Sequence, residues 1–130
     1  VFASDLLRAL ARHGLDLPVE FLWLRSYGGN ETPGDIAVLK APDETIRGRR
    51  ILLIDGVLDT GATLTLAQAM LREAGAAWVV TAVAVAKTHP RQAARADYAL
   101  FQAGREFLYG YGMDRGGAGR GLPDIRVRRP

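Results

Sequence analysis

The sequence predicts an α/β fold with a mostly parallel sheet flanked by helices, and three observations carry that reading. A short, wholly apolar run at residues 51–54 suits a strand buried on both faces of a parallel sheet, and a β-branched, apolar stretch at residues 78–86 suits another buried strand. Between them, apolar residues recur at helical spacing, giving strand–helix–strand alternation. The 130 residues are 48% hydrophobic and 24% charged, ordinary values for a globular chain. They are expected to form one domain, residues 1–130, burying roughly two-thirds of its extended surface.

Taken in order, Ser4 and Asp5 are candidate caps of a first helix carrying Leu6, Leu7, Leu10 and Ala11, which Gly14 ends. Residues 19–24 read as a strand. Gly28-Gly29-Asn30-Glu31-Thr32-Pro33-Gly34 is a loop by composition, and residues 36–39 are a second strand. After the apolar run ending at Ile54, an acid closes the strand and a turn leads into a helix. Leu64, Ala67, Met70, Leu71 and Ala74 share one face of that helix, and Gly75 is its expected C-cap. Residues 98–101 and 107–109 are short strand candidates.

The charge balance is weak, with 17 basic against 14 acidic residues, a net charge of +3. The two Arg clusters, at residues 47–50 and 126–129, read as solvated faces, and nucleic acid is not an expected partner. No apolar run approaches the ~18 residues that a membrane-crossing helix needs. The chain has no Cys, which excludes disulfides, thiolate metal sites and cysteine nucleophiles and suits a reducing compartment, so a cytoplasmic location is expected. His13 and His89 form no metal motif.

The segment that carries chemistry is Asp55-Gly56-Val57-Leu58-Asp59-Thr60-Gly61-Ala62-Thr63. Ligands of parallel sheets bind beyond the carboxyl ends of the strands, and a helix N-terminus offers unpaired N–H groups to a phosphate. Gly61 would allow close backbone approach, with Thr60 and Thr63 adding hydroxyl donors. An equally good physical reading makes Asp59 or Thr60 a helix cap. The spacing is not that of a Walker A loop.

This stretch, with its apolar lead-in Ile51-Leu52-Leu53-Ile54, resembles the phosphoribosyl-pyrophosphate signature of the phosphoribosyltransferases. Other segments narrow the resemblance to the hypoxanthine(-guanine) branch. They are Arg25-Ser26-Tyr27-Gly28, Lys87 with Thr88-His89-Pro90, and Phe107-Leu108-Tyr109-Gly110-Tyr111-Gly112-Met113-Asp114 with Arg120-Gly121-Leu122-Pro123. The resemblance implies a phosphoribosyltransferase-type α/β fold. It also implies an Mg²⁺-dependent enzyme of purine salvage that joins hypoxanthine or guanine to phosphoribosyl pyrophosphate, releasing pyrophosphate.

The resemblance assigns roles residue by residue. Asp59 would take the proton at N7 of the purine. Thr60, Gly61, Ala62 and Thr63 would cradle the 5′-phosphate, and Asp55 would hold the ribose hydroxyls, directly or through Mg²⁺. Lys87 would donate to the 6-oxo group, Phe107 would stack on the base, and the Leu108 backbone would meet its Watson–Crick edge. Asp114 would meet Mg²⁺ on the pyrophosphate side, with Arg120 pairing with phosphate oxygens. Ser26 and Tyr27 would lead a loop that closes over the reacting centre. The family's homodimers or homotetramers make Phe21, Trp23 and Trp78 candidate interface anchors. Two alternatives stand beside this reading, a non-catalytic nucleotide sensor and an RNA-binding regulator on the same fold.

The sequence departs from the family pattern twice. That pattern places a strand and a pyrophosphate-binding Lys-Gly or Asn-Gly turn before the position of Val1, so the N-terminal segment is expected to be missing here. The acidic pair of the signature reads Asp55-Gly56, so one ribose contact is expected to be lost.

Overall fold

The structure, a computed structural model, describes residues 1–26, 36–88 and 92–128. At its centre three parallel strands pair in chain order, β3 (Arg50–Leu58), β4 (Trp78–Lys87) and β5 (Tyr98–Ala103). The helices are α1 (Phe2–Arg12) and α2 (Ala62–Glu73). Two antiparallel pairs, β1 (Trp23–Ser26) with β2 (Ile36–Lys40) and β6 (Leu108–Tyr109) with β7 (Arg126–Val127), and a short 3-10 helix, Glu44–Ile46, are the other described elements.

Burial follows the position of each strand. β4 lies between β3 and β5, and its residues from Thr81 to Ala86 are all buried. Fully burying a valine such as Val83 or Val85 is worth about 1.5–3 kcal/mol. Ile51-Leu52-Leu53-Ile54, expected to be covered on both faces, are only half-buried; among the described residues β3 is an edge strand of this sheet. Phe2 and Leu6 of α1 pack with Ala84, Val85 and Leu108, whereas Leu64 of α2 packs with Leu58, Val83 and Ala86 in a second cluster. Thr81, wholly buried, donates its N–H and hydroxyl to Asp97 Oδ2, both at 2.7 Å, and accepts the Asp97 N–H at 2.9 Å. These bonds adjoin the Ala82–Tyr98 pair and help set the β4–β5 register.

Several expectations are corrected. α1 begins at Phe2, so Ser4 and Asp5 lie inside its first turn and neither caps it. Phe2 is drawn into the helix by its own burial, and Asp5 instead pairs with Arg8 and accepts the Tyr111 hydroxyl at 2.7 Å. Residues 19–22 form no strand, because the β1–β2 pairing starts at Trp23 opposite Lys40. β3 does not stop at an acid. It runs through Asp55 and Gly56 to Leu58, since pairing with Val83, Val85 and Ala86 of β4 carries the ladder past them. The C-cap of α2 is Ala74, with Gly75 one residue beyond.

Candidate active site

The carboxyl ends of β3 and β4, the β6 strand, the loop at residues 110–120 and the start of α1 surround an open cavity of about 1040 Å³. Asp55, Asp59, Lys87, Phe107, Leu108, Asp114 and Arg120 all line it, so seven site residues predicted from four separated segments meet in one place. Gly56, Arg105, Tyr111 and Met113 line it as well. Thr60, Gly61, Ala62 and Thr63 do not; they form the adjoining turn from Asp59 into α2. Ser26 is the last residue of β1, and Tyr27 lies outside the described residues.

The two residues assigned to the purine edge touch each other. Lys87 Nζ donates to Asp59 Oδ2 at 2.8 Å. The lysine side chain is 12% exposed and the aspartate 52% exposed, so a largely covered ammonium meets a carboxylate open to the cavity. Gln92 was not singled out in the sequence. Its Nε2 donates to the Lys87 carbonyl at 2.9 Å and to the Asp59 carbonyl at 3.2 Å. A glutamine without a motif gives no signal of a contact made 33 positions away.

Neither Asp59 nor Thr60 is the helix cap. Gly61 holds that position with φ +87°, and its C–H faces the backbone of the following strand connection. A Cβ there would come within 2.6 Å of the Ala94 nitrogen, so any side chain would force that backbone apart. The Thr60 hydroxyl accepts only a long 3.4 Å contact from the Ala62 N–H.

Asp55 is reached by water through the open cavity yet is ringed by protein, and this burial pushes its carboxyl above the usual pKa. The Gly56 N–H, donating to Asp55 Oδ1 at 2.7 Å, acts in the opposite direction. Gly56 is not in the left-handed region, and a Cβ on it would meet nothing closer than Met113 Cγ at 4.0 Å. Neither conformation nor space requires glycine there.

Across the cavity, Arg120 Nη2 meets Asp114 Oδ1 at 2.9 Å and its Nη1 donates to the Gly112 carbonyl at 2.9 Å. The other Asp114 oxygen accepts the Gly117 N–H at 2.9 Å. Tyr111, in the left-handed region at φ +53°, is held by its hydroxyl bond to Asp5 and by its ring lying 6.4 Å from that of Phe2. The Leu108 side chain belongs to the core, which leaves its backbone for the cavity. Among the described residues no group of three or more His, Cys, Asp or Glu gathers into a metal cage, and Asp55 and Asp114 line the cavity singly.

Known proteins share this fold. Residues 1–114 match the family described as the phosphoribosyl transferase domain. The hypoxanthine-guanine phosphoribosyltransferase of Aquifex aeolicus is 36% identical over 127 residues, covering 96% of this chain and 70% of its own. That of Streptococcus pyogenes is 30% identical over 128 residues, covering 97% of this chain and 69% of its own. The solved hypoxanthine phosphoribosyltransferase of Trypanosoma cruzi, in complex with the product IMP, superposes with a TM-score of 0.87 at 32% identity, covering 99% of this chain and 69% of that one. The chain thus spans about two-thirds to 70% of the length of these relatives. With this fold and this agreement over nearly its whole length, the chain belongs to the hypoxanthine-guanine phosphoribosyltransferases of the phosphoribosyl transferase domain family.

Proposed function

We propose that the protein acts in purine salvage, transferring the phosphoribosyl group of phosphoribosyl pyrophosphate to hypoxanthine or guanine. The observation that carries this is the 2.8 Å Lys87–Asp59 contact inside a cavity that Phe107 also lines. A 6-oxopurine presents O6 and N7 side by side on one edge. An ammonium beside a carboxylate matches that edge when the base carries its proton on N7, Lys87 donating to O6 and Asp59 accepting from N7. As N9 bonds to C1′ of the sugar and the bond from C1′ to pyrophosphate breaks, the N7 proton passes to Asp59. Such a transfer in the transition state commonly contributes ~10²–10⁴-fold. Phe107 offers a ring for stacking on the base.

The turn at Thr60, Gly61, Ala62 and Thr63, at the head of α2, suits the 5′-phosphate. Asp55 would hold the ribose hydroxyls, and Arg120 the pyrophosphate oxygens. Mg²⁺ takes oxygen ligands and is commonly held by one or two carboxylates together with substrate phosphates. Asp55 and Asp114, single carboxylates on one cavity, fit an ion carried in by the substrate better than a caged one. When bound, Mg²⁺ neutralises charge on the departing pyrophosphate.

The same reading covers residues 1–130 as one domain acting in the cytoplasm, and no described helix is long and apolar enough to cross a membrane. It includes self-association as a homodimer or homotetramer, for which the exposed Phe21, Trp23 and Trp78 are anchors. The test is to incubate the purified protein with phosphoribosyl pyrophosphate, Mg²⁺ and each purine base, and to identify products by mass spectrometry. IMP or GMP formed together with pyrophosphate supports the assignment; no nucleotide from either oxopurine contradicts it.

A further inference from the structure

The turn that follows Asp59 is pinned from behind by the chain segment at residues 92–94. Gln92 Nε2 donates to the Asp59 carbonyl at 3.2 Å, and the Ala93 N–H donates to the Thr60 carbonyl at 2.8 Å. The Ala94 backbone packs so close to Gly61 that only glycine fits there. The orientation of the Gln92 amide follows from its partners. Both are carbonyls, which only accept, so the NH₂ group and not the oxygen faces them.

A trans peptide plane points its C=O and the next N–H in opposite directions. Holding the Asp59 carbonyl toward Gln92 therefore turns the Thr60 N–H away from this segment. Holding the Thr60 carbonyl toward Ala93 turns the Gly61 N–H away in the same manner. From this geometry we propose that Gln92 is a positioning residue for the transferase reaction: it fixes the peptide plane that aims the Thr60 amide at the substrate's 5′-phosphate, beside the Gly61 amide that the Ala93 N–H orients. Because the same NH₂ group also holds the Lys87 carbonyl at 2.9 Å, it ties that turn to the end of β4. The inference rests on the functional reading above and adds a residue to it.

Two substitutions separate the donor from its bulk. Gln92→Met keeps the length and packing of the side chain but cannot donate. Gln92→Glu keeps the shape and places a carboxylate against two carbonyls. Steady-state kinetics with phosphoribosyl pyrophosphate and hypoxanthine, together with thermal melting, gives the readout. The expected result is a KM for phosphoribosyl pyrophosphate raised about 10-fold in Gln92→Met and more in Gln92→Glu, with the KM for hypoxanthine held near that of the parent protein. A role in stability alone would lower the melting temperature without splitting the two KM values.

Unchanged KM for phosphoribosyl pyrophosphate in both variants overturns the proposal while leaving the transferase reading intact. A parent protein that makes no nucleotide overturns both. Where neither variant folds, hydrogen exchange of the Gln92 side-chain amide in the parent protein decides. Protected protons support the two bonds, and exchange at the rate of a free amide overturns them.

Discussion

Lys87 Nζ lies 2.8 Å from Asp59 Oδ2, joining the end of β4 to the turn beyond β3 across 28 positions of sequence. Each group neutralises the other. A 6-oxopurine can replace that one contact with two, giving the ammonium an oxygen and the carboxylate a proton. Gln92 Nε2 donates to the backbone carbonyls of the same two residues, while the ion pair itself holds their side chains at this spacing.

Asp59→Asn tests the proton acceptor. Asparagine Oδ1 can still accept from Lys87, so the local structure should persist, but the amide cannot take a proton from N7. Turnover should fall ~10²–10⁴-fold with IMP affinity, measured by calorimetry, close to that of the parent protein. Parallel loss of IMP binding and turnover would show that Asp59 serves mainly to shape the turn.

Gly56→Asp tests the departure from the family's acidic pair. The added Cβ has room and the backbone is not left-handed, so the substitution should fold without strain. A second carboxylate beside the ribose should tighten phosphoribosyl pyrophosphate binding by roughly 10-fold or more, the worth of a charge-assisted hydrogen bond. Calorimetric titration with a parallel melt is the check. Unchanged affinity at an unchanged melt would show that the ribose is held some other way.

The parts of this site legible in sequence are those carried by local pattern. Apolar runs marked β3 and β4, and Asp59 and Lys87 stand at their carboxyl ends, where a parallel sheet gathers them, while the motif at residues 107–120 supplies the facing wall. Asp55, Asp59, Lys87, Phe107, Asp114 and Arg120 therefore meet on one cavity. What escaped depends on partners distant in sequence. Asp55-Gly56 reads as the end of a strand, yet β4 pairs with Asp55 and carries the ladder past Gly56 to Leu58. Residues 19–22 look like a strand but lie before the start of the β1–β2 pairing. Gln92 and Tyr111 owe their roles to contacts 33 and 106 positions away, which no periodicity reports.

Asp55→Asn probes stability against pH. Burial raises the folded-state pKa of Asp55 above its unfolded value, so the native state binds more protons between the two values. Stability from this group therefore falls as pH rises from the unfolded pKa through the folded one, and at neutral pH the ionised carboxylate is a cost. Asp55→Asn should raise the melting temperature at pH 7 and lose that advantage near pH 3, while weakening phosphoribosyl pyrophosphate binding. Melts that differ equally at both pH values would contradict the linkage.

Asp97→Ala probes the lock between β4 and β5. Removing the carboxylate strands the N–H and hydroxyl of the wholly buried Thr81, at a cost of about 1–3 kcal/mol. The bonds from Thr81 also hold the Asp97 pKa below its usual value. The stability they provide is present above the unfolded pKa and is lost as pH falls through the lower folded one. Denaturant unfolding at pH 7 should show the deficit, and it should shrink at strongly acidic pH.

The most direct test of the account compares hypoxanthine with adenine in the parent protein and in Lys87→Ala. Adenine offers an amino donor at position 6, which a protonated lysine cannot accept. The account predicts that the parent protein favours hypoxanthine strongly in kcat/KM. Lys87→Ala should lose about 10- to 100-fold on hypoxanthine with little change on adenine, the penalty of one charge-assisted hydrogen bond. Equal use of the two bases by the parent protein, or an equal loss on both in the variant, would contradict the claim that Lys87 and Asp59 together read the 6-oxopurine edge.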